Sequence, residues 1–311
     1  MRCDLHTHSL WSGAADVAVV GRFARESYSE PLAVYAAARR RGMDLVTLTD
    51  HDTIEGNLAL AHLPDVFWSE EVTCTLPSGS IVHLGVFDIT EWEHREIARL
   101  RSDGEALFAL LAERRIPTAL NHMLSPITGP RSTGDYAYAL DRVGLVESQN
   151  GNMPSAVNVL AGRAAERLGL ATVGGSDAHT VATVARAYTE VPGARSREEF
   201  LAALREGATL PRGSAGSYAQ LVADIARVTA GAYRDVFGQA LRGKGAWLPV
   251  LSVALTVPLT PLIPLFALVA HAQATVAAHR DARRLEQWPG AISPTARRPS
   301  ASSLALEEAA Q

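Results

Sequence analysis

Six of the ten histidines, His6, His8, His51, His83, His122 and His179, stand at the ends of short apolar runs or in the loops just after them. They share those places with carboxylates, in "DLHTH", "LTDHD", "SEEVT" and "GSDAH". A fold that gathered so many ionisable groups without a compensating cation would carry a large desolvation cost. The runs read as strands whose ends can meet at one place. Up to about residue 212 they alternate with amphipathic stretches, the pattern of repeated β-α units around a largely parallel sheet. In such α/β folds the C-terminal strand ends converge on one face, so residues 170 positions apart in sequence can line a single site.

The strands read as "MRCDLH", "DLVTLTD", "FWSEEVTCT", "SIVHLGVFD", "IPTALNH", "GLVESQN" and "LATVGGSDAH", with a Pro-Ser-Gly turn joining the third and fourth. Helices read as "EPLAVYAAARRRG", ended by Gly42, and as "GEALFALLAERR", "SAVNVLAGRAAERLG" and "SREEFLAALREG". On an extended segment residues i and i+2 point to the same side, so His6 and His8 can bind one ion together. Imidazole with carboxylate is the ligand set of zinc, manganese or iron rather than calcium. His62, His94, His271 and His279 lie in helical or C-terminal stretches and read as surface or structural residues.

A 311-residue chain that is 47% hydrophobic can bury a substantial core, and its length suits one large domain with an appendage. The net charge of −4 gives no general attraction to nucleic acid, which leaves a small phosphate-bearing ligand at a local site open. Cys3 and Cys74 are too few for a disulfide framework and read as small buried hydrophobes in a reducing compartment. "MRCDLHTHSLW" has no apolar signal region, so the expected address is cytoplasmic.

The expected organisation is a metal-binding domain over 1–212, a helical linker over 213–245, an apolar segment over 246–285 and a disordered tail over 286–311. Residues 246–270 carry no ionisable side chain and are long enough to cross a hydrocarbon core. Pro249, Pro258, Pro261 and Pro264 argue against one straight helix and for a kinked or re-entrant membrane contact. The alternative is a greasy subdomain or dimer interface. Basic residues flank both sides, so no orientation follows.

In this order and at these separations, "DLHTHS", "LTDHD", "EEVT", "VHLGVFD", "LNH", "VESQN" and "GSDAH" resemble the polymerase-and-histidinol-phosphatase (PHP) family of metal-dependent phosphoesterases. The resemblance covers about residues 1–212. It implies a distorted (β/α)7 barrel, followed here by the helical, apolar C-terminal segment, with two or three divalent ions (Zn, Mn or Fe) at the strand ends. It further implies that His6, His8, Glu71 and Asp177 hold a first metal, that Glu71 bridges to a second completed by His83 and His122, and that His51 and His179 serve a third. Of Glu70 and Glu71 alternation sends only one inward, and the following "VT" matches the family better with Glu71. The chain departs from the family at "SLWSGAAD", where Gly13 stands near the slot of an expected ligand and Asp16 is the replacement within reach.

The implied reaction is hydrolysis of a small phosphorylated metabolite or nucleotide by a metal-bound hydroxide. Asp177 belongs to its catalytic set, with His179 or His51 protonating the leaving group. Arg131, Arg22 and Arg25 are candidate phosphate clamps. Asp4 and Asp50 read as partners that fix imidazole orientation, and Asn121 and Asn150 as residues that orient ligands or substrate. A nuclease or cyclic-nucleotide phosphodiesterase of the same family is the alternative activity. A degenerate metal module tethered to a membrane is the alternative class. An amidohydrolase-type barrel also uses H-x-H, but it normally adds a bridging lysine, and Lys244 is the chain's only lysine.

Overall fold

A computed structural model describes residues 1–13, 24–242 and 247–288. Its elements run β1 (Arg2–Asp4), α1 (Pro31–Arg40), β2 (Leu45–Val46), α2 (Glu55–Leu58), β3 (Ser69–Thr75), β4 (Ile81–Phe87), α3 (Glu91–Leu100), α4 (Gly104–Glu113), β5 (Thr118–Leu120), α5 (Thr133–Leu140), β6 (Leu145–Asn150), α6 (Ser155–Leu168), β7 (Ala171–Gly175), β8 (Ala187–Glu190), α7 (Arg197–Glu206) and β9 (Leu210–Gly213). The C-terminal part adds α8 (Tyr218–Leu241), α9 (Trp247–Thr256), a 3-10 turn over Val257–Leu262 and α10 (Ile263–Gln287).

The strands form two mixed sheets, ordered β2-β1-β8-β9 and β3-β4-β5-β6-β7. The sheet is less parallel than the alternation predicts. Among the described residues only the strand pairs β1–β2, β5–β6 and β6–β7 run parallel, because the Pro-Ser-Gly turn folds β3 and β4 into a hairpin and β8 returns antiparallel to β1. Single parallel bridges join the two sheets, Thr7 to Ala178 beyond β1 and β7, and His51 to Glu71 beyond β2 on β3. These bridges carry the histidines: Asp177 N donates to His6 O at 2.7 Å and His8 N to Ala178 O at 3.0 Å.

Helix boundaries follow local chemistry. Gly42 takes φ +84 just past α1, and α6 and α7 end on Gly169 and Gly207 in the left-handed region, where no side chain has to be accommodated. Helix α3, which the sequence reading passed over, starts on a reciprocal Thr90–Glu93 capping box. Its His94 Nδ1 lies 2.9 Å from Glu70, so Glu70 faces α3 while Glu71 faces the opposite side of β3. Cys3 and Cys74 are buried and unpaired.

The region expected to be a linker packs on the domain. Thr180 Oγ1 donates to Asp224 of α8 at 2.8 Å, and a Cβ on Gly231 would collide with the Tyr28 ring. The apolar stretch divides in two. From Ala274 onward α10 joins the main core through Ala278, Ala282 and Leu285, and Tyr136 OH donates to Asp281 at 3.0 Å. Before that point Leu259, Leu262, Leu265, Phe266 and Leu268 are exposed. By length and composition alone, Pro249–Gln287 is long and apolar enough to cross a membrane. Residues 289–311 of the expected tail lie outside the described residues.

Candidate metal centre

Glu71 stands at the middle of the histidines. Its Oε2 lies 3.1 Å from His6 Nε2, 3.4 Å from His8 Nε2 and 3.3 Å from His51 Nε2, while Oε1 lies 3.4 Å from His83 Nδ1 and 3.2 Å from His122 Nε2. Asp177 Oδ1 lies 3.6 Å from His6 Nε2, 3.4 Å from His8 Nε2 and 3.6 Å from His179 Nδ1. Each carboxylate thus joins imidazoles delivered by different strands.

Two of these residues sit in backbone conformations that side chains disfavour, His122 at φ +27 and Asp177 at φ +51. Such strain costs about 1–3 kcal/mol per residue and is retained where the surrounding structure imposes it, characteristically at functional sites. A register shift in the β6–β7 ladder between Glu147 and Gln149 marks the same end of the sheet.

The donor set fits divalent metal. Donor atoms of His6, His8 and Asp177, of His6, Glu71 and His122, and of His8, His51 and Glu71 each lie within 4.8 Å of one another. His8 Nε2, His83 Nδ1 and His122 Nδ1 are buried without a hydrogen-bond partner. Buried polar atoms are nearly always partnered, and of these three His8 Nε2 and His83 Nδ1 face Glu71 within 3.4 Å, as metal ligands would.

Protonation is divided unevenly. Burial drives His8 down to about 3 and His51 down to about 4, so both rings are neutral, as ligands must be. Burial also disfavours charge on His6, but Glu71, Glu147 and Asp177 overcome it and hold the ring well above the ordinary histidine range. Asp177 is held far below the carboxylate range, because the surrounding histidines outweigh its burial. His6 therefore keeps a proton at pH 7 that a metal has to displace. Manganese titration by calorimetry in two buffers of different ionisation enthalpy is expected to register about one to two protons released per chain at pH 7, from His6 and from Glu26, whose carboxyl burial pushes up to about 7. Release should shrink as the pH rises through the raised His6 value, and release of none at pH 7 would contradict this assignment.

Several residues differ from their expected roles. Asp4 and Asp50 hold backbone rather than rings: Asp4 accepts from Ser176 N at 2.8 Å and His6 N at 3.2 Å, and Asp50 from Ser9 N at 2.5 Å. Burial pushes both carboxyls up to about 6. The His6 ring is instead oriented by Glu147, whose Oε1 lies 2.9 Å from Nδ1, and the His8 ring by Ser12 Oγ at 2.9 Å. Asn121 donates to Glu71 at 2.9 Å, and Asn150 to Glu147 at 2.9 Å and Asp177 at 3.2 Å.

Arg131 is buried, with its guanidinium committed to the carbonyls of Met123 and Ser125 and the Thr128 hydroxyl, which leaves it no fork for phosphate. Arg25 donates to Leu10 O at 2.6 Å. Arg22 and Asp16 lie outside the described residues.

Sequence reasoning missed Glu147, Glu26 and two arginines of α8. Glu26 Oε2 approaches His51 Nε2 to 3.3 Å and takes a place near the one for which Asp16 was the candidate. Burial pushes it up to about 7. A cleft of about 300 Å³ beside His179 is lined by Tyr28, Arg227 and Arg234. "VESQN" was legible as a motif although Glu147 was not singled out in it. Nothing local in "RESYS" distinguishes Glu26, which arrives by tertiary folding.

This mixed α/β fold aims imidazoles and carboxylates from its strand ends into one buried cluster with the donor set of a divalent-metal centre. Residues 156–209 match the family model described as PHP-associated. This match over part of the chain agrees with the resemblance of the ordered motifs to the PHP family. An uncharacterized protein of Methanocaldococcus jannaschii is 33% identical over 76 residues, covering 23% of this chain and 41% of its own length. PsfC of Pseudomonas syringae shares the fold with TM-score 0.52 and 20% identity, over 74% of this chain and 98% of its own. The lesion-specific endonuclease PfuEndoQ of Pyrococcus furiosus aligns with TM-score 0.45 and 17% identity, over 68% of this chain and 58% of its own.

Proposed function

We propose that the protein hydrolyses phosphate monoesters at a centre of two or three divalent ions. Strands β1–β7, joined through the Thr7–Ala178 and His51–Glu71 bridges, serve as a distorted (β/α)7 barrel. The observation that carries the reading is the double engagement of Glu71, whose two oxygens face separate imidazole sets. His6, His8, Asp177 and Glu71 would hold one ion, and Glu71, His83 and His122 a second. Glu26 and His51 would supply donors to a third, with His179 left out of it for the acid role below. When bound, such ions lower the pKa of water and neutralise charge on the phosphoryl oxygens.

The chain's own groups supply orientation and a proton. Glu147 fixes the His6 ring and also accepts from His122 N at 2.8 Å, so one carboxylate steadies two ligands. His51, held down to about 4, is too weakly basic to carry a proton at neutral pH. His179 has Nδ1 within 3.0 Å of Asp177 O, and it lines the cleft with Arg227 and Arg234. With Nδ1–H given to that carbonyl, Nε2 is the atom that can pass a proton to the leaving oxygen. The two arginines are placed to bind phosphoryl oxygens.

Rates on phosphate monoesters against diesters, with manganese supplied, test this reading. Monoester hydrolysis should dominate. Glu147→Gln should lower it roughly 10–100-fold, the range for losing a group that orients a ligand, and His8→Ala or Asp177→Ala should lower it further. A preference for diesters would move the assignment to a phosphodiesterase or nuclease.

A further inference from the structure

An apolar groove of about 510 Å³ starts at the metal centre, with Glu26, Asp177 and His179 at one end, and runs between α8 and the α9–α10 arm. That volume falls within the ~300–1,000 Å³ range of small-molecule sites. Leu221, Ile225, Val228 and Val236 of α8 line it at helical spacing, facing Leu259 and Phe266 across the gap. Several of the polar groups in its walls are occupied elsewhere, and Asn152 and Thr229 are further polar residues that line it. Asp224 accepts from Thr180 and Arg227, Tyr233 OH bonds Thr256 Oγ1 at 3.3 Å, and Thr260 Oγ1 donates to Val257 O at 2.8 Å.

Resting on the phosphoesterase reading, we propose that the substrate is amphiphilic: a phosphate ester whose leaving group is a single apolar chain lying in this groove. The charge pattern selects this class. Glu26, Asp177 and His179 stand at one end of the groove, where a separate cleft lined by Arg227 and Arg234 meets it at His179 and Val228, and beyond them the walls turn apolar. A sugar or nucleoside placed along Leu221, Ile225, Val228 and Val236 would leave most of its hydroxyls against apolar wall, at a cost of about 1–3 kcal/mol for each unpaired group. An alkyl or prenyl chain incurs no such penalty and gains from burial. The outer wall passes into the exposed apolar face of Leu262, Leu265 and Leu268, a surface that a soluble monomer rarely presents. This continuity offers a chain-bearing substrate a route from a lipid phase.

The test uses the full manganese-loaded chain and alkyl phosphates from ethyl to octyl below their micelle concentrations. Expected is a kcat/KM rising by up to about fourfold per methylene, at least a hundredfold in all. Val236→Asn should flatten that slope, as should Phe266→Ser, which alters a half-exposed ring without threatening the fold. Leu241→Asn, exposed at the far end of α8, should leave the slope intact.

Equal kcat/KM for ethyl and octyl phosphate, or a slope untouched by both groove variants, overturns the inference and leaves the phosphoesterase reading standing. Hydrolysis of no member overturns that reading instead. The groove is then judged by calorimetric binding of octyl against ethyl phosphate, where equal affinity overturns it too. Dodecyl phosphate supplied in phosphatidylcholine vesicles or as monomer separates the sources: faster turnover from vesicles supports a bilayer substrate, and faster turnover from monomer supports a soluble one.

Discussion

Glu71→Gln is expected to cost the protein at least one bound ion per chain and to lower phosphomonoester hydrolysis by about 10³-fold or more, the rate equivalent of roughly 4 kcal/mol. The size follows from position. Both Glu71 oxygens stand within 3.4 Å of imidazole nitrogens, three on one side and two on the other, and the residue is buried. Glutamine keeps the shape, replaces one acceptor with a donor and removes the charge. A bridging position then faces ring nitrogens with an NH₂ group, and the positively charged His6 loses its closest Nε2-side partner. Elemental analysis of purified protein and initial rates across a manganese series check this together. A variant that keeps its full metal content and activity would remove Glu71 from the centre.

The second large effect is on stability. A Cβ placed on Gly175 would lie 2.3 Å from His6 Cβ and 2.7 Å from His6 N. Strand β7 can therefore lie beside the continuation of β1 only because residue 175 has no side chain. Gly175→Ala is expected to push the strands apart and to destabilise the fold by about 3 kcal/mol or more. In a chain of this size that is a fall in Tm of roughly 6–12 °C. Metal content should fall with it, since His6 and Asp177 reach their shared place through this contact. Gly162→Ala is the matched control. It lies within α6 with nothing within 4 Å of its added Cβ, so alanine's better helix propensity should hold or raise Tm. Scanning calorimetry of both variants decides the point, and an unchanged Tm for Gly175→Ala would contradict the close approach of β1 and β7.

What the sequence made legible was the chemistry delivered by strands. His6 and His8 could be paired because alternation along an extended segment is local, and Glu71 could be preferred over Glu70 for the same reason. In the fold Glu70 turns to His94 of α3 and Glu71 to the histidines. The six histidines at strand ends come together because β-α topology brings those ends together, which is also a repeating local pattern. Strand direction was less legible. The return of β8 against β1 is set by long-range pairing of Cys3 with Thr189, which no local period encodes.

The residues that sequence reasoning placed wrongly or passed over depend on tertiary contacts. Arg131 had the composition of a phosphate clamp, but its loop folds back so that the guanidinium satisfies carbonyls of its own segment. Asp4 and Asp50 neighbour ligating histidines in sequence, yet their carboxylates turn to backbone amides, and the ring of His6 is reached by Glu147 of β6, two strands away across β7. Glu26 and the α8 arginines belong to segments without strand or motif character. The capping box at Thr90–Glu93 is different, because its pattern is local and the helix it starts was there to be read.

The central claim is that catalysis resides in metal held by this cluster, and phosphate release from a monoester by chelator-stripped protein titrated with manganese tests it most directly. The account predicts no turnover in the stripped protein and activity that appears as at least two ions per chain are bound. Full activity without metal, or at least two bound ions with no ester hydrolysed, would contradict it, and fewer than one bound ion per chain would instead point to a degenerate binding module.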